Sequence, residues 1–165
     1  MFNADLYNEL ILKIKRNKKI AIAVDFDGVL VEDKFPNIGP INKTLLILLQ
    51  RLRGYGCAII LHTCRADVYR TSKEGNRTIL PWLYNAILVC SENGLEFDAI
   101  NENVVEVKDL LGKYIEFHGL RRKLSVDLFL EDKNPTWDLK ETCDFLERIC
   151  EEFKEKERTY VHIRN

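Results

Sequence analysis

Ile20-Ala21-Ile22-Ala23-Val24-Asp25-Phe26-Asp27-Gly28-Val29-Leu30 is the stretch on which the reading of this chain turns. Its apolar run behind Lys18 and Lys19 describes a short strand buried on both faces, the habit of a parallel sheet. The run stops at two carboxylates separated by a single residue, followed by a glycine. The acids therefore fall at the strand's C-terminal edge, where open α/β sheets place their ligands. Carboxylates beside such a run must be paired, hydrogen-bonded or metal-bound, because an isolated buried charge is very unfavourable. Two so close together imply a cation. Taken alone, Asp-x-Asp-Gly also reads as an ordinary turn, so the weight rests on what the other strands bring.

Downstream, residues 31–39 carry charges, Pro36, Asn37 and Gly39 and predict a loop or small hairpin. A helix follows from about 40–42 to Gly54 or Gly56, with Leu45, Leu48, Leu49 and Leu52 on one face. Residues 57–61 repeat the all-apolar strand and end in His62-Thr63-Cys64-Arg65. Strand, helix and strand with short links form a parallel unit, which sets Thr63 on the same edge as Asp25. Residues 66–77 are polar and unpatterned, 78–93 read as a helix with Pro81 in its first turn, and 97–100 as a short strand followed by Asn101, Glu102 and Asn103. Residues 104–122 give only a weak pattern. A fourth strand at 125–130 is preceded by Arg121-Arg122-Lys123 and ends in Glu131-Asp132. The last helix begins around 134–138, with Asp138-x-x-Glu141 resembling a capping box; 151–158 are its solvated end, and 160–163 add an edge strand or a tail. Upstream, residues 4–17 predict an amphipathic helix through Leu6, Leu10, Ile11 and Ile14.

The 165 residues suit one α/β domain: a helical extension over 1–18, a core over 19–150, and a helix end and tail over 151–165. With 46% hydrophobic and 31% charged residues and no long apolar run, the composition is that of a soluble globular chain and excludes a membrane span. Asp5, Asn8 and Glu9 interrupt the N-terminal apolar residues, so no signal peptide and a cytoplasmic location are expected. A net charge of -1 gives no global pull toward nucleic acid or membrane. Five scattered cysteines, an odd number without a C-x-x-C pair, read as reduced thiols. His62, His118 and His162 are too dispersed for a zinc set.

Strand ends thus supply Asp25, Asp27, Thr63, Lys123, Glu131 and Asp132. Phosphoryl transfer through a carboxylate uses such a set: a nucleophile, a second carboxylate for the leaving-group proton, acids sharing a divalent cation, and a hydroxyl and an ammonium on the phosphate oxygens. Hard Mg2+ suits oxygen ligands of this kind.

On these residues the chain resembles the haloacid dehalogenase superfamily of phosphohydrolases. Asp25-Phe26-Asp27-Gly28-Val29-Leu30 is similar to the family's first motif, Thr63 to its second, Lys123 to its third and Glu131-Asp132 to its acidic fourth, over roughly residues 19–150. The resemblance implies a three-layer Rossmann-like core with a mostly parallel sheet. It also implies Asp25 as nucleophile and Mg2+ ligand, and Asp27 as general acid/base and backbone metal ligand. Thr63 and Lys123 would bind phosphate, Asp132 would be the direct metal ligand, and Glu131 a neighbour acting through water. Val29 stands where Thr is usual and Glu131 where Asp is common; neither change removes a catalytic group.

The expected activity is Mg2+-dependent hydrolysis of phosphate monoesters, on a small or a larger phosphorylated substrate. A nucleotidase or nucleic-acid end phosphatase stays open, as does a noncatalytic Mg2+ and phosphate-binding regulator. The intervals between the motif strands are too short for a separate cap domain. An open active edge is expected, screened only by 31–39, 66–77 or 104–122. Arg65 reads as a surface ion pair or a substrate contact, Asn101 and Asn103 as pocket residues, and Asp127 as lying away from the site.

Overall fold

The computed structural model describes residues 2–102, 124, 126–133 and 137–164. Along these residues run α1 (Ala4–Lys15), β1 (Ala21–Val24), α2 (Lys43–Gly54), β2 (Ala58–Leu61), β3 (Asp67–Thr71), β4 (Arg77–Pro81), α3 (Trp82–Glu92), β5 (Ala99–Ile100), β6 (Leu128–Leu130) and α4 (Leu139–Arg164). The central sheet has the order β5-β2-β1-β6, and each of its pairings is parallel. Val24 lies in register with Leu61 on one side and Leu130 on the other. Helices flank this sheet, so the architecture is α/β and Rossmann-like. The chain passes from β1 outward to β2 and β5, then returns to β6 on the opposite side. The crevice between β1 and β6 is thus a topological switch point, where ligands bind in such sheets.

Every residue of β1 and β2 is buried. The twofold alternation of a strand sorts them into two layers. Ile22, Val24, Ile59, Leu61, Leu128 and Leu130 share the main core with Leu10 and Ile14 of α1, Leu45, Leu49 and Leu52 of α2, and Leu146 and Ile149 of α4. Ala21, Ala23, Ala58 and Ile60 form the opposite layer, against Ala99, Leu124 and Val126. Leu10 and Ile14 are only 2% exposed, and burying such side chains stabilises by about 1.5–3 kcal/mol each. The helix at residues 4–15 thus packs onto the core through the apolar face its spacing predicts. Their helix is capped by Asn3, whose side chain accepts the Leu6 N–H at 2.8 Å.

Four expectations need correction. Residues 66–77 are not featureless: β3 and β4 form an antiparallel hairpin from Asp67↔Pro81 to Thr71↔Arg77. The hairpin is mostly exposed, so no core demanded apolar alternation and the usual strand signal never arose. For the same reason α3 starts at Trp82, not near 78. Asp67 caps it from across the hairpin, accepting the N–H groups of Leu83 and Tyr84 at 2.9 and 3.1 Å. Residues 160–163 are neither edge strand nor tail but the continuation of α4, since extending a formed helix adds a bond per residue without a new nucleus. The fourth strand also begins later than expected, at Leu128, while residues 104–122 lie outside the described residues.

The 31–39 segment forms the expected small hairpin-like flap. Val31 bridges Ile41 antiparallel, with Glu32 N–H donating to Pro40 O and Asn42 N–H to Leu30 O, both at 2.9 Å. Among the described residues no helix is long and apolar enough to cross a membrane.

Candidate active site

Parallel pairing carries the residues that follow each strand to one edge. Asp25 N–H donates to Leu130 O at 2.9 Å, His62 N–H to Val24 O at 2.9 Å and Asn101 N–H to Leu61 O at 2.8 Å. Asp25, Thr63, Asn101 and Glu131 are thereby set along a single C-terminal edge by backbone hydrogen bonds alone.

Asp25 accepts the N–H of Phe26 through its own Oδ1 at 2.7 Å. Burial pushes its carboxyl up to about 6, against the lowering effect of that hydrogen bond, and the charges of Asp132, Asp27 and Glu131 push the same way as burial. This is a site carrying surplus negative charge. Gly28 sits at φ +79 directly against Asp132, and a Cβ there would run into the Asp132 carboxylate. Only glycine takes this backbone conformation freely and leaves that room. Among the described residues, buried Asp132 Oδ1 has no hydrogen-bond partner.

An orphaned carboxylate oxygen beside further carboxylates fits a hard divalent cation, which takes one or two carboxylates plus water and phosphate oxygens. Among the described residues, no group of three or more His, Cys, Asp or Glu comes together as a metal cage. Glu131 lines a cleft of about 210 Å3 together with Phe2, Phe129 and Trp137, a cleft from which Asp25, Asp27 and Asp132 are absent. Of the two acids after β6, Asp132 is the one that approaches the Asp-x-Asp-Gly turn.

Thr63 is buried, and its backbone is locked by Asn101: Thr63 N–H donates to Asn101 Oδ1 at 2.8 Å and Asn101 Nδ2 donates to Thr63 O at 2.9 Å. Asn101 takes a left-handed backbone, φ 51, to make this pair. The Thr63 hydroxyl oxygen accepts the Arg65 N–H at 3.1 Å, which leaves its own proton for an anion.

Arg65 is the residue whose place the sequence did not disclose. Instead of a surface pair, it is a buried side chain, 1% exposed, gripping Asp27 with both arms of its fork. Nε donates to Asp27 Oδ2 at 2.8 Å and Nη2 to Asp27 Oδ1 at 2.7 Å. The same guanidinium donates to the carbonyls of Pro36 at 3.1 Å and Asn37 at 2.8 Å. The rings of Phe26 and Phe35 lie 4.9 and 5.2 Å from its central carbon. The one available signal was position, two residues after a strand-end threonine.

Of the other expected residues, Asp25, Asp27, Thr63, Glu131 and Asp132 are gathered at this edge or beside it. Lys123, Arg121, Arg122 and Asn103 lie outside the described residues. Asp127, set aside from the sequence, sits at the opposite edge in an ion pair with Lys13. The thiols of Cys57 and Cys90 are buried, which pushes both up to about 12, so they belong to the core and not to the chemistry. Cys64 is exposed, and all five cysteines are free.

Comparison with known proteins adds the fold and little more. No family model matches the chain, and no curated protein does. Among solved structures, the chain is similar to a conserved protein coded by a locus of Bacteroides thetaiotaomicron, with 28% identity and a TM-score of 0.56 over 79% of this chain and 92% of that one.

Proposed function

We propose that this protein is a Mg2+-dependent phosphatase that hydrolyses phosphate monoesters through an aspartyl-phosphate on Asp25, a reading that makes it a haloacid dehalogenase-like phosphohydrolase. The observation that carries the proposal is the buried, partnerless Asp132 oxygen at the strand edge that also holds Asp25, Asp27 and Thr63. An Asp25 oxygen attacks phosphorus as the ester P–O bond breaks, and Asp27 gives the departing oxygen its proton. Asp27 then takes a proton from water, whose oxygen attacks the aspartyl-phosphate to release inorganic phosphate and restore Asp25. Thr63 donates its hydroxyl proton to the phosphate, and Lys123 is assigned the balancing ammonium. Asp25, the Asp27 carbonyl and Asp132 would hold Mg2+, with Glu131 acting through water; the ion supplies positive charge that offsets the repulsion between nucleophile and phosphate.

The substrate is a phosphorylated small molecule or a larger phosphorylated one. The free, largely buried thiols support a cytoplasmic setting. The grip of Arg65 on both oxygens of Asp27 also suits one second reading, a noncatalytic Mg2+ and phosphate-binding regulator in which Asp27 serves as a structural anchor. Phosphate release from p-nitrophenyl phosphate and a panel of phosphorylated metabolites, with and without Mg2+, tests the proposal with Asp25→Asn as the blank. A wild type that binds Mg2+ but releases no phosphate from any ester supports the regulator instead.

A further inference from the structure

We propose that Arg65 is the positioning residue of this site, fixing the Asp27 carboxylate and the flap over it as one rigid unit. The inference rests on the phosphatase reading for its kinetic consequence, but its structural half stands on contacts alone. Four hydrogen bonds leave one guanidinium: two to Asp27, one to Pro36 and one to Asn37. Both carbonyls belong to the flap, so a single buried cation joins the reacting carboxylate to that segment.

The aromatic residues extend the same connection. Phe35, whose ring lies beside the guanidinium, makes an edge contact with Trp82 at 5.0 Å. Trp82 opens α3 directly after the β3–β4 hairpin, whose Asp67 caps that helix. The Asp27 carboxylate, the flap and the base of the hairpin thus meet at Arg65, through charge on one side and ring contacts on the other.

A carboxylate gripped at both oxygens cannot rotate about its terminal bond. Each oxygen keeps acceptor capacity beyond the bond from Arg65, and the Asp27 side chain remains 21% exposed, so a substrate can reach it in that one orientation. Lysine does not replace this arrangement: a point charge on a flexible stem spans neither both oxygens nor two carbonyls. The buried position of Arg65 also separates it from a residue that binds substrate directly, whose removal would raise KM.

The test combines kinetics on p-nitrophenyl phosphate with Mg2+ and a readout that needs no activity. Arg65→Lys is expected to lower kcat about 10-fold and Arg65→Met about 100-fold, the scale of a misplaced catalytic group, with KM changed less than about 3-fold. In an Asp27→Asn background, Arg65→Lys should lower kcat no further, because the two residues act as one unit. Lys34 is exposed within the flap, so trypsin cleavage after it reports flap opening. Cleavage should be at least about 10-fold faster in Arg65→Met than in wild type, with Arg65→Lys between. A rise in KM with kcat intact, additive losses with Asp27→Asn, or equal protection of Lys34 in all three proteins would each overturn the proposal. If wild type releases no phosphate, the phosphatase reading fails. The trypsin comparison then decides the clamp: faster cleavage in the variants supports it, and unchanged cleavage overturns it.

Discussion

The two edges of the parallel sheet carry the same residue type and put it to opposite use. At the N-terminal edge, each outer strand is entered by an aspartate that reaches across to the inner strand beside it. Asp127, just before β6, accepts the Ala21 N–H at 2.9 Å and pairs with Lys13. Asp98, just before β5, accepts the Ile59 N–H at 2.9 Å and faces Arg53 at 3.4 Å. Both carboxylates are satisfied by the fold itself. At the C-terminal edge, Asp25, Asp27, Glu131 and Asp132 have, among the described residues, one buried cation, Arg65, spent on Asp27. The Asp25 carboxyl is pushed up to about 6, and one Asp132 oxygen has no partner. The comparison teaches that acid content does not mark the site. What marks it is acid content left unsatisfied among the described residues.

The largest expected effect tests the unsatisfied edge. Asp25→Asn should lower phosphate release at least 10^3-fold, about 4 kcal/mol in the barrier, without loss of fold by circular dichroism. A variant with a tenth of wild-type activity would place the nucleophile elsewhere.

Next comes Mg2+ itself. At a concentration about 100 times its dissociation constant, Mg2+ should stabilise wild type by about 2.7 kcal/mol against thermal unfolding by mass action, and Asp132→Asn should remove most of that gain. An equal gain in both proteins would show that Asp132 holds no metal.

Asp127→Ala should destabilise by about 2 kcal/mol, because it strips the Ala21 N–H of its acceptor and leaves Lys13 only its 3.9 Å pair with Glu9. Asp132→Ala in metal-free protein should cost less than about 0.5 kcal/mol, since it removes a charge that crowds Asp25 and an oxygen without a partner among the described residues. Urea unfolding of both variants measures the contrast directly. Equal losses would erase the distinction between the edges.

The smallest effect is pH-dependent. Because the Asp25 carboxyl is raised from 3.8 to about 6, the folded state binds that proton more tightly than the unfolded state. Its contribution to stability is fully present below about pH 4 and is lost as pH rises through 6. In the presence of a chelator, Asp25→Asn should therefore melt a few degrees above wild type at pH 7 and level with it at pH 4. A gap that does not close at pH 4 would assign the difference to packing rather than charge.

Much of this was legible in the chain. Ala21–Val24 and Ala58–Leu61 are strands because buried parallel strands must be apolar on both faces, and the polar residues that end them must share an edge. The hairpin at Asp67–Pro81 was not legible, because exposure on both faces removes the alternation by which a strand is recognised. Glycine at position 28 read as a turn residue; that it also makes room for Asp132, over a hundred residues away, follows only from the pairing of β6 with β1.

By itself, the sequence determined the strands of the central sheet, their common edge and the acids placed there, since local hydrophobic pattern and chain order are enough to dictate these. Only the tertiary structure decided what each acid is for. Asp127 and Asp98 find donors in the neighbouring strand, Asp27 finds Arg65, and one oxygen of Asp132 finds none. The reason is physical: whether a carboxylate is satisfied depends on groups distant in sequence, and no pattern along the chain records which of them fold to within hydrogen-bonding reach.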